Sequence, residues 1–561
     1  MGSPEDTGGS ASASSASSSP AEISLLTLNC WAIRHISSLI QPRIAHIARL
    51  LADPPAPSSS STLSAASGDS SGSSPRRRRQ PDIVCLQELF TQDDYQTLRR
   101  ETRNSHPYGK FFHAGAFGAG LVILSRWPID ESSTHPYPLN GRPTAFWRGD
   151  WYVGKGVARA RIRFGPDPAR DVLDVFNTHT HSPYERGADE DGNAYLCHRL
   201  AQSWELAKLV RASARAGHLV AVLGDFNMLP HSLPHRIVTA HAPLRDAWLV
   251  LHPDSALGPA NHPSERARRR PLPSAAFNLS ENGATSNNVL NTWRWDKDQL
   301  KKLRSGSPCD VDPAAPDPRG QRLDYIFVST GQRDGPSSPG WVVKSAAVTF
   351  TDRHPEHGVS LSDHFAVQAT ITRHTPAAPP APPAPTALRP VTPSTPLPTP
   401  SVDALRSGAF LAPPDSPSSR APSTLAVPDA DFDAQLHYPA THTPALSLGA
   451  YDEILSLIHK YTAREERERY WRGLHFYAAI AIWIGCLVGV CFTPRWYASF
   501  ILMFFGSLNL VAGTIDGLLS LLFFNSELRA LKEFEWEIRN AKAAASGELV
   551  ALADTPLDRK S

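Results

Sequence analysis

The stretch Leu219-Val-Ala-Val-Leu-Gly-Asp-Phe-Asn227 decides the fold class of this chain. Five apolar residues lead directly into Gly224, Asp225 and Asn227, so the pattern predicts a buried strand that ends in polar groups. Taken alone, Gly-Asp-Phe-Asn is equally compatible with a simple turn, because glycine, aspartate and asparagine all favour turns. Its interpretation depends on other segments in which a predicted strand also ends in polar residues.

Five further motifs place polar side chains at or just after the end of a predicted strand. They are Leu28-Asn29-Cys30-Trp31, Leu86-Gln87-Glu88, Asn177-Thr-His179-Thr-His181, Arg322-Leu-Asp324-Tyr325 and Leu361-Ser-Asp363-His364-Phe365. Strand ends hold polar groups rigidly around a pocket. Each motif by itself is more often a turn, a cap or a solvated loop. Six in one order predict a single active site.

The regions around these motifs indicate the domain organisation. From residue 21 to 373, apolar β-runs alternate with helical stretches such as 40–51 and 194–216, which predicts an α/β or α+β enzyme domain. Residues 1–20 and an insert at about 53–80 are rich in serine, and they are interpreted as a flexible tail and a surface loop. The Pro-rich segment 374–450 is interpreted as a linker of about 75 residues that tethers the catalytic domain loosely.

Two apolar runs follow the linker, at 474–492 and 496–524. Each is long enough to cross a hydrocarbon core, which takes roughly 20 residues. A pair of buried core helices is the alternative, but aromatic residues at the run ends (Trp471, Trp496 and Tyr497) favour a transmembrane hairpin. Asp516 and Asn509 inside the second run are interpreted as residues that bond the two helices or lie at the membrane interface, in preference to a functional polar site.

The charges that flank the two runs predict the orientation of the hairpin. Basic residues concentrate in the juxtamembrane helix predicted at 451–473 and in the tail predicted at 525–561, whereas the turn between the runs holds only Arg495. The positive-inside rule therefore places both ends and the catalytic domain in the cytosol. The net charge of +2 argues against bulk nucleic-acid binding. The six scattered cysteines argue against a disulfide scaffold or a zinc site.

The ordered motif set resembles the endonuclease/exonuclease/phosphatase superfamily over residues 21–373. That resemblance implies a four-layer α/β/β/α sandwich and Mg2+ as the cofactor, with Glu88 as the principal ligand and Asn29 beside it. It implies that Asp225 orients the nucleophile and that Asn227 donates a hydrogen bond to a phosphoryl oxygen. His364 is the implied general base.

The same resemblance assigns four supporting roles. Asp363 is expected to hold the tautomer of His364. His179 is expected to stabilise developing charge or protonate the leaving alkoxide, with Asn177 supporting the same region. Asp324 is expected to be a supporting carboxylate next to the histidine pair.

The segment Gly149-Asp-Trp-Tyr-Val-Gly-Lys155-Gly156 and the paired C-terminal runs are similar to the neutral sphingomyelinase and inositol phosphosphingolipid phospholipase C family. The similarity implies that Asp150 and Lys155 form a conformational switch; the alternative is a hairpin with an incidental surface ion pair. It implies Mg2+-dependent hydrolysis of sphingomyelin or inositol phosphosphingolipids to ceramide. It also implies anionic phospholipids as activators, and the endoplasmic reticulum or the mitochondrial outer membrane as the location.

Three alternatives remain beside this interpretation. A nuclease of the superfamily predicts a basic groove and a soluble chain. An inositol-polyphosphate phosphatase predicts a Trp-Cys-Asp-Arg element where this chain has Gln321-Arg-Leu-Asp324. A non-catalytic membrane-tethered scaffold predicts the loss of Glu88, Asp225 or His364, and all three are present. The sequence does not choose between choline phosphate and inositol phosphate, and the oligomeric state stays open.

Overall fold

The computed structural model describes residues 19–54, 79–184, 195–305, 309–333, 337–376, 435 and 445–547. Most of the predicted N-terminal tail, Ser-rich insert and Pro-rich linker therefore lies outside the described residues, as does the end of the predicted C-terminal tail.

The first β-sheet contains the strands that carry the Asn29, Glu88 and His364 motifs. Its strands are β1 (Glu22–Ala32), β2 (Ile83–Leu89), β3 (Tyr108–Phe112), β4 (Leu121–Ser125), β11 (Gly340–Thr349) and β12 (Ala366–His374). They lie in the order β11-β12-β1-β2-β4-β3. Strands β1 and β2 are parallel, so Asn29 pairs with Gln87 at their shared carboxyl ends.

The second sheet carries the His179, Asp225 and Asp324 motifs. Its strands are β5 (Ile129–Pro136), β6 (Gly156–Arg163), β7 (Val172–His179), β8 (Leu219–Asp225), β9 (Arg245–Asp246) and β10 (Asp324–Val328), in the order β5-β6-β7-β8-β10-β9. Parallel β7 and β8 place His179 beside Asp225. Antiparallel β10 places Asp324 on the other side of Asp225.

Helices cover the outer face of each sheet and complete four layers. Helices α1 (Ile40–Ala52) and α2 (Gln92–Thr102) pack on the first sheet, and α4 (Leu196–Arg215) and α5 (Leu233–His241) pack on the second. A separate apolar cluster with members from both sheets fills the space between them. The predicted α/β/β/α sandwich is confirmed. Shorter helices lie in the connections: α3 (Asp150–Val153), α6 (Ala247–Leu251), α7 (Pro263–Ala267), α8 (Ala275–Ser280) and α9 (Lys297–Arg304).

The C-terminal region forms three long helices, α10 (Leu448–Val490), α11 (Trp496–Leu518) and α12 (Phe524–Ser546), with a π-helical turn between the last two. Only 6% and 11% of the residues in the two most apolar 18-residue windows are buried. Core helices of a soluble domain would be mostly buried, so that alternative is wrong and the pair is a candidate transmembrane hairpin.

Small residues bring the two apolar helices close together. A Cβ added at Gly513 would lie 2.3 Å from the Ala479 Cβ, so only glycine allows this approach. Asp516 contacts Arg472 and lies 2.7 Å from His475 Nδ1 on α10, in agreement with its interpretation as a helix–helix bonding residue.

The predicted juxtamembrane helix is continuous with the first apolar run, and residues 525–546 form a helix rather than a tail. We call residues 448–473 of α10 together with α12 the stalk. The stalk packs on α4 and α5 through one buried apolar cluster, which includes Ile454, Ile458, Leu531, Ile538, Leu200, Trp204 and Ile237. The expectation of a loose tether is therefore wrong, because the apolar faces of the stalk are buried against the catalytic domain.

Candidate active site

Asn29 joins the two sheets at the centre of the motif cluster. Its Nδ2 donates to Glu88 Oε1 at 3.1 Å and to Asp225 Oδ2 at 3.0 Å, and its Oδ1 accepts from the Trp31 amide. Glu88 has a φ of 55°, a left-handed conformation that non-glycine residues rarely adopt. Strain of this kind persists only where surrounding contacts impose it, and it concentrates at functional sites.

His364 is held by Asp324 and faces Asp225. Its Nδ1 lies 2.8 Å from Asp324 Oδ2, and its Nε2 lies 4.0 Å from Asp225 Oδ2. Burial by itself lowers the pKa of His364, but the carboxylates of Asp324 and Asp225 outweigh it and raise that pKa to about 10. The surrounding carboxylates therefore hold a proton on this imidazole.

The expectation that Asp363 holds the His364 tautomer is wrong, because Asp324 occupies that position. Asp363 Oδ2 lies instead 3.5 Å from Arg294 Nη2. Negative charge on Asp363 also adds to burial in raising the pKa of Glu88, so this carboxylate acts on the Glu88 end of the cluster.

His179 is the second imidazole that faces Asp225. Its Nε2 lies 3.5 Å from Asp225 Oδ2 and 3.9 Å from Glu88 Oε1. Burial, together with the positive charge of Lys155, holds the pKa of His179 well below its ordinary value. The two histidines thus differ in charge: His179 is neutral where His364 is protonated.

Asn227 and the Asp150–Lys155 pair meet at the carbonyl of Thr180. Asn227 Nδ2 and Lys155 Nζ donate to that oxygen at 3.2 and 2.9 Å. Lys155 Nζ also lies 3.1 Å from Asp150 Oδ1, and both side chains are buried. The surface-ion-pair alternative is therefore wrong, and the segment forms the helical turn α3 instead of a hairpin. Thr180 is the residue that follows His179, so the pair is connected to the cluster through one carbonyl.

Asn177 lies between the sheets, and its side-chain contacts are structural ones. Its Nδ2 donates to Leu86 O and Val122 O, both at 2.9 Å, and its Oδ1 accepts from Gln87 Nε2. These bonds fix the second sheet against the first. Asn177 therefore supports the cluster by fixing the two sheets together. Within the described residues, its side-chain hydrogen bonds do not include His179.

Arg43 is a supporting residue that the sequence analysis missed. It is fully buried on α1 and donates to Cys30 O, Trp31 O and Leu361 O at 2.7–2.9 Å. Those carbonyls belong to the end of β1, which carries Asn29, and to the loop that carries His364, so one cation fixes both segments. Its only signal in the sequence is an arginine on the apolar face of an otherwise ordinary helix pattern.

The cluster fits a divalent cation with hard oxygen ligands. Asp225, Asp324 and His364 bring ligand atoms within 4.8 Å of one another. Within the described residues, Glu88 Oε2 and Asp324 Oδ1 are buried without a hydrogen-bond partner. Burial raises the pKa of both Glu88 and Asp225. Buried carboxylates that lack partners need a compensating positive charge, and a cation such as Mg2+ supplies it.

Comparisons with known proteins identify the family of this chain. The profile of the Endonuclease/Exonuclease/phosphatase family matches residues 26–364. The chain is 31% identical over 537 residues to an inositol phosphosphingolipids phospholipase C of Schizosaccharomyces pombe, covering 96% of this chain and 97% of that protein. It is 29% identical to human sphingomyelin phosphodiesterase 2 over 296 residues, 53% of this chain and 57% of that one.

Among solved structures, SmcL aligns with a TM-score of 0.36 at 18% identity, covering 63% of this chain and 99% of that one. The family profile and the full-length similarity to the yeast protein carry the assignment. The chain belongs to the endonuclease/exonuclease/phosphatase family, in the branch of the neutral sphingomyelinases and inositol phosphosphingolipid phospholipases C, whose named members are hydrolases.

Proposed function

We propose that this protein is a Mg2+-dependent phosphodiesterase that hydrolyses sphingolipids to ceramide and a phosphorylated head group. The observation that carries the proposal is the complete cluster of Glu88, Asp225, Asp324, His179 and His364 at the facing ends of the two sheets. Two relatives that match more than nine tenths of this chain are named for inositol phosphosphingolipids, which favours an inositol phosphate head group over choline phosphate.

His364 is the proposed general base. Its Nδ1–H is directed at Asp324, which leaves Nε2 to take a proton from the attacking water. With a pKa raised to about 10, the imidazole is protonated at neutral pH until the surrounding negative charge is offset. A cation held by the carboxylates would offset that charge, because a nearby positive charge lowers the pKa of a histidine.

His179 and Asn227 are proposed to act on the phosphate. His179 is neutral, and in the tautomer with its proton on Nε2 it donates a hydrogen bond to the leaving oxygen, whose negative charge it stabilises beside Asp225. Asp225 orients the attacking water, while Asn227, held through its bonds to Asp225 and Thr180, presents its amide to a phosphoryl oxygen.

Glu88 and Asn29 are proposed to hold the Mg2+ ion, with the charge of Asp363 nearby. When bound, the ion would neutralise the phosphodiester and stabilise the departing alkoxide, which supplies several kcal/mol in enzymes of this kind. In the structure Asn29 directs its Nδ2 at Glu88 and Asp225, so its amide would have to turn over for Oδ1, its only suitable ligand atom, to face the cation.

The two apolar helices are proposed to span a membrane, with the catalytic domain and both hairpin ends in the cytosol. The organelle is the endoplasmic reticulum or the mitochondrial outer membrane. Anionic phospholipids are proposed activators, attracted by the basic residues that flank the spans and by the run Arg266–Arg270. No nucleic-acid partner is proposed.

Release of ceramide from mixed vesicles tests the proposal. Full-length protein is compared with its His364→Ala and Glu88→Ala variants, on vesicles of inositol phosphoceramide or of sphingomyelin with anionic phospholipid, with Mg2+ or with a chelator. We expect wild-type protein to release ceramide only with Mg2+, and each variant to lose at least about a hundredfold in rate. Absence of ceramide from both lipids would refute the proposal and favour a phosphoinositide phosphatase or a nuclease.

A further inference from the structure

The stalk makes polar contacts with the catalytic domain at two separate places. At the end farther from the hairpin, Lys208 Nζ on α4 lies 2.7 Å from Glu537 Oε1, and Tyr451 OH lies 3.1 Å from His241 Nε2. Near the hairpin, Arg142 Nη2 lies 3.5 Å from Glu465 Oε1 and 3.8 Å from Glu468 Oε1. Glu465 is fully buried, whereas the Lys208 pair is half-buried.

Arg142 lies on the loop that leads into α3. The Tyr152 hydroxyl of α3 donates to Pro143 O, directly after Arg142, at 3.3 Å. A Cβ added at Gly141 would lie 3.3 Å from the Trp151 amide nitrogen and 3.0 Å from His181 Nε2, so the loop is in close contact with α3. Arg142 and α3 are therefore joined through direct contacts of this loop.

Helix α3 in turn contacts the hairpin and the cluster. The Trp151 ring lies 5.9 Å from the Phe523 ring, in the π-helical turn where the second apolar run ends. Asp150, at the start of α3, pairs with Lys155, which donates to the carbonyl next to His179. Two contacts from the C-terminal helices, Arg142–Glu465 and Trp151–Phe523, thus meet at the segment that contains α3. Through the Asp150–Lys155 pair, this segment supports the part of the cluster next to His179.

We propose that Arg142 is a positioning residue: its ion pair with Glu465 holds α3, and with it the Asp150–Lys155 pair, in the arrangement that the active site needs. The membrane anchor is therefore part of the support of the active site. Breaking the Arg142–Glu465 pair impairs turnover even when the substrate is supplied in detergent micelles, where tethering to a bilayer brings no advantage. This inference rests on the proposed function in one respect only, because its kinetic test measures sphingolipid hydrolysis.

Hydrogen–deuterium exchange tests the structural half without any substrate. The full-length protein in detergent is compared with Arg142→Met, Glu465→Gln and Lys208→Met. The last variant is the matched control, because it removes a stalk ion pair that has no contact with the loop. We expect amides of residues 149–156 to exchange several-fold faster in the first two variants and at the wild-type rate in the control.

Kinetics in sphingolipid–detergent micelles test the functional half. We expect Arg142→Met to lower kcat by about tenfold with little change in KM, Arg142→Lys to recover most of the loss, and Lys208→Met to keep the wild-type kcat. The Arg142→Met/Glu465→Gln double variant removes both charges of the pair, so we expect it to regain part of the lost thermal stability while its kcat stays low.

The proposal is overturned if residues 149–156 exchange alike in Arg142→Met and Lys208→Met, or if the double variant regains full kcat. Failure of wild-type protein to hydrolyse any sphingolipid would refute the proposed function alone, because the exchange comparison is independent of substrate.

Discussion

At the residue scale, the active-site histidine takes its partner from a distant part of the sequence. Asp324, 40 residues before His364, lies 2.8 Å from its Nδ1, while the adjacent Asp363 contacts Arg294. Asp363 and His364 lie in a bend before β12 and their side chains contact different partners, so adjacency in the chain does not make Asp363 the partner of His364. The Ser-Asp-His motif identifies His364. Its carboxylate partner, Asp324, is brought to it by the pairing of β10 with β8 beside Asp225.

Substitutions of the two aspartates distinguish their roles. Asp324→Asn removes the negative charge that orients His364 and favours its protonated form. We therefore expect kcat to fall by about a hundredfold or more at saturating Mg2+. Asp363→Asn removes charge near Glu88, so we expect the Mg2+ concentration for half-maximal activity to rise while kcat at saturation changes far less. Mg2+ titrations of ceramide release measure both. A larger loss of saturated kcat in Asp363→Asn would reverse the assignment.

At the element scale, the stalk buries charge where it meets α4. Both carboxylate oxygens of Glu527 lack a hydrogen-bond partner among the described residues, and His198 Nε2 lies 3.2 Å away. Burial raises the pKa of Glu527 to about 7, although Arg142 and Arg464 act in the opposite direction. Burial also lowers the pKa of His198 to about 3, so near neutral pH this contact is no ion pair.

This arrangement predicts how stalk docking depends on pH. The pKa of Glu527 in the docked stalk exceeds its ordinary value of 4.5. The contribution of this side chain to the stability of docking is therefore fully present below about pH 4.5 and is lost as the pH rises through about 7. Glu527→Gln mimics the protonated form. We therefore expect its melting temperature to exceed that of wild type at pH 8 and to equal it at pH 4.

Glu533→Gln on the exposed face of the same helix is the control, and we expect no pH-dependent gain from it. An equal gain from Glu527→Gln at both pH values would show that titration of this carboxylate does not affect docking.

At the scale of the whole molecule, the stalk adds a fifth layer to the four-layer sandwich. Leu200, Trp204 and Ile237 on the outer helices are buried beneath it. Loss of the stalk exposes this apolar patch, and burial of each such side chain is worth roughly 1.5–3 kcal/mol. The stalk is thus a structural part of the catalytic domain.

Truncation tests that integration. A chain that ends at residue 376 is expected to melt at a lower temperature and to self-associate through the exposed face of α4 and α5. A second chain keeps the stalk but replaces residues 474–523 by a short Gly/Ser connector, and we expect it to retain the full-length melting temperature in detergent. Differential scanning calorimetry and light scattering measure the two effects. Equal stability of both truncated chains would contradict a structural role for the stalk.

The sequence by itself determined an α/β or α+β domain, the candidate hairpin and the polar residues at the strand ends, and the resemblance of the ordered motifs to a known family implied the sandwich. Alternating apolar runs define strands, uninterrupted apolar runs of about 20 residues define candidate spans, and strand-end polar residues mark where chemistry is possible. These signals are local, and each can be recognised within a short segment such as 219–227.

Only the tertiary structure decided which of those residues act together. The pairing of His364 with Asp324 and the role of Asn177 as a bridge between the sheets depend on strand register. The position of Arg43 beneath the end of β1 and the His364 loop depends on helix packing. The docking of the stalk depends on the match between two apolar faces about 250 residues apart. Contacts of this kind join residues distant in the chain, and no local pattern records which partner a buried charge or an apolar face will find.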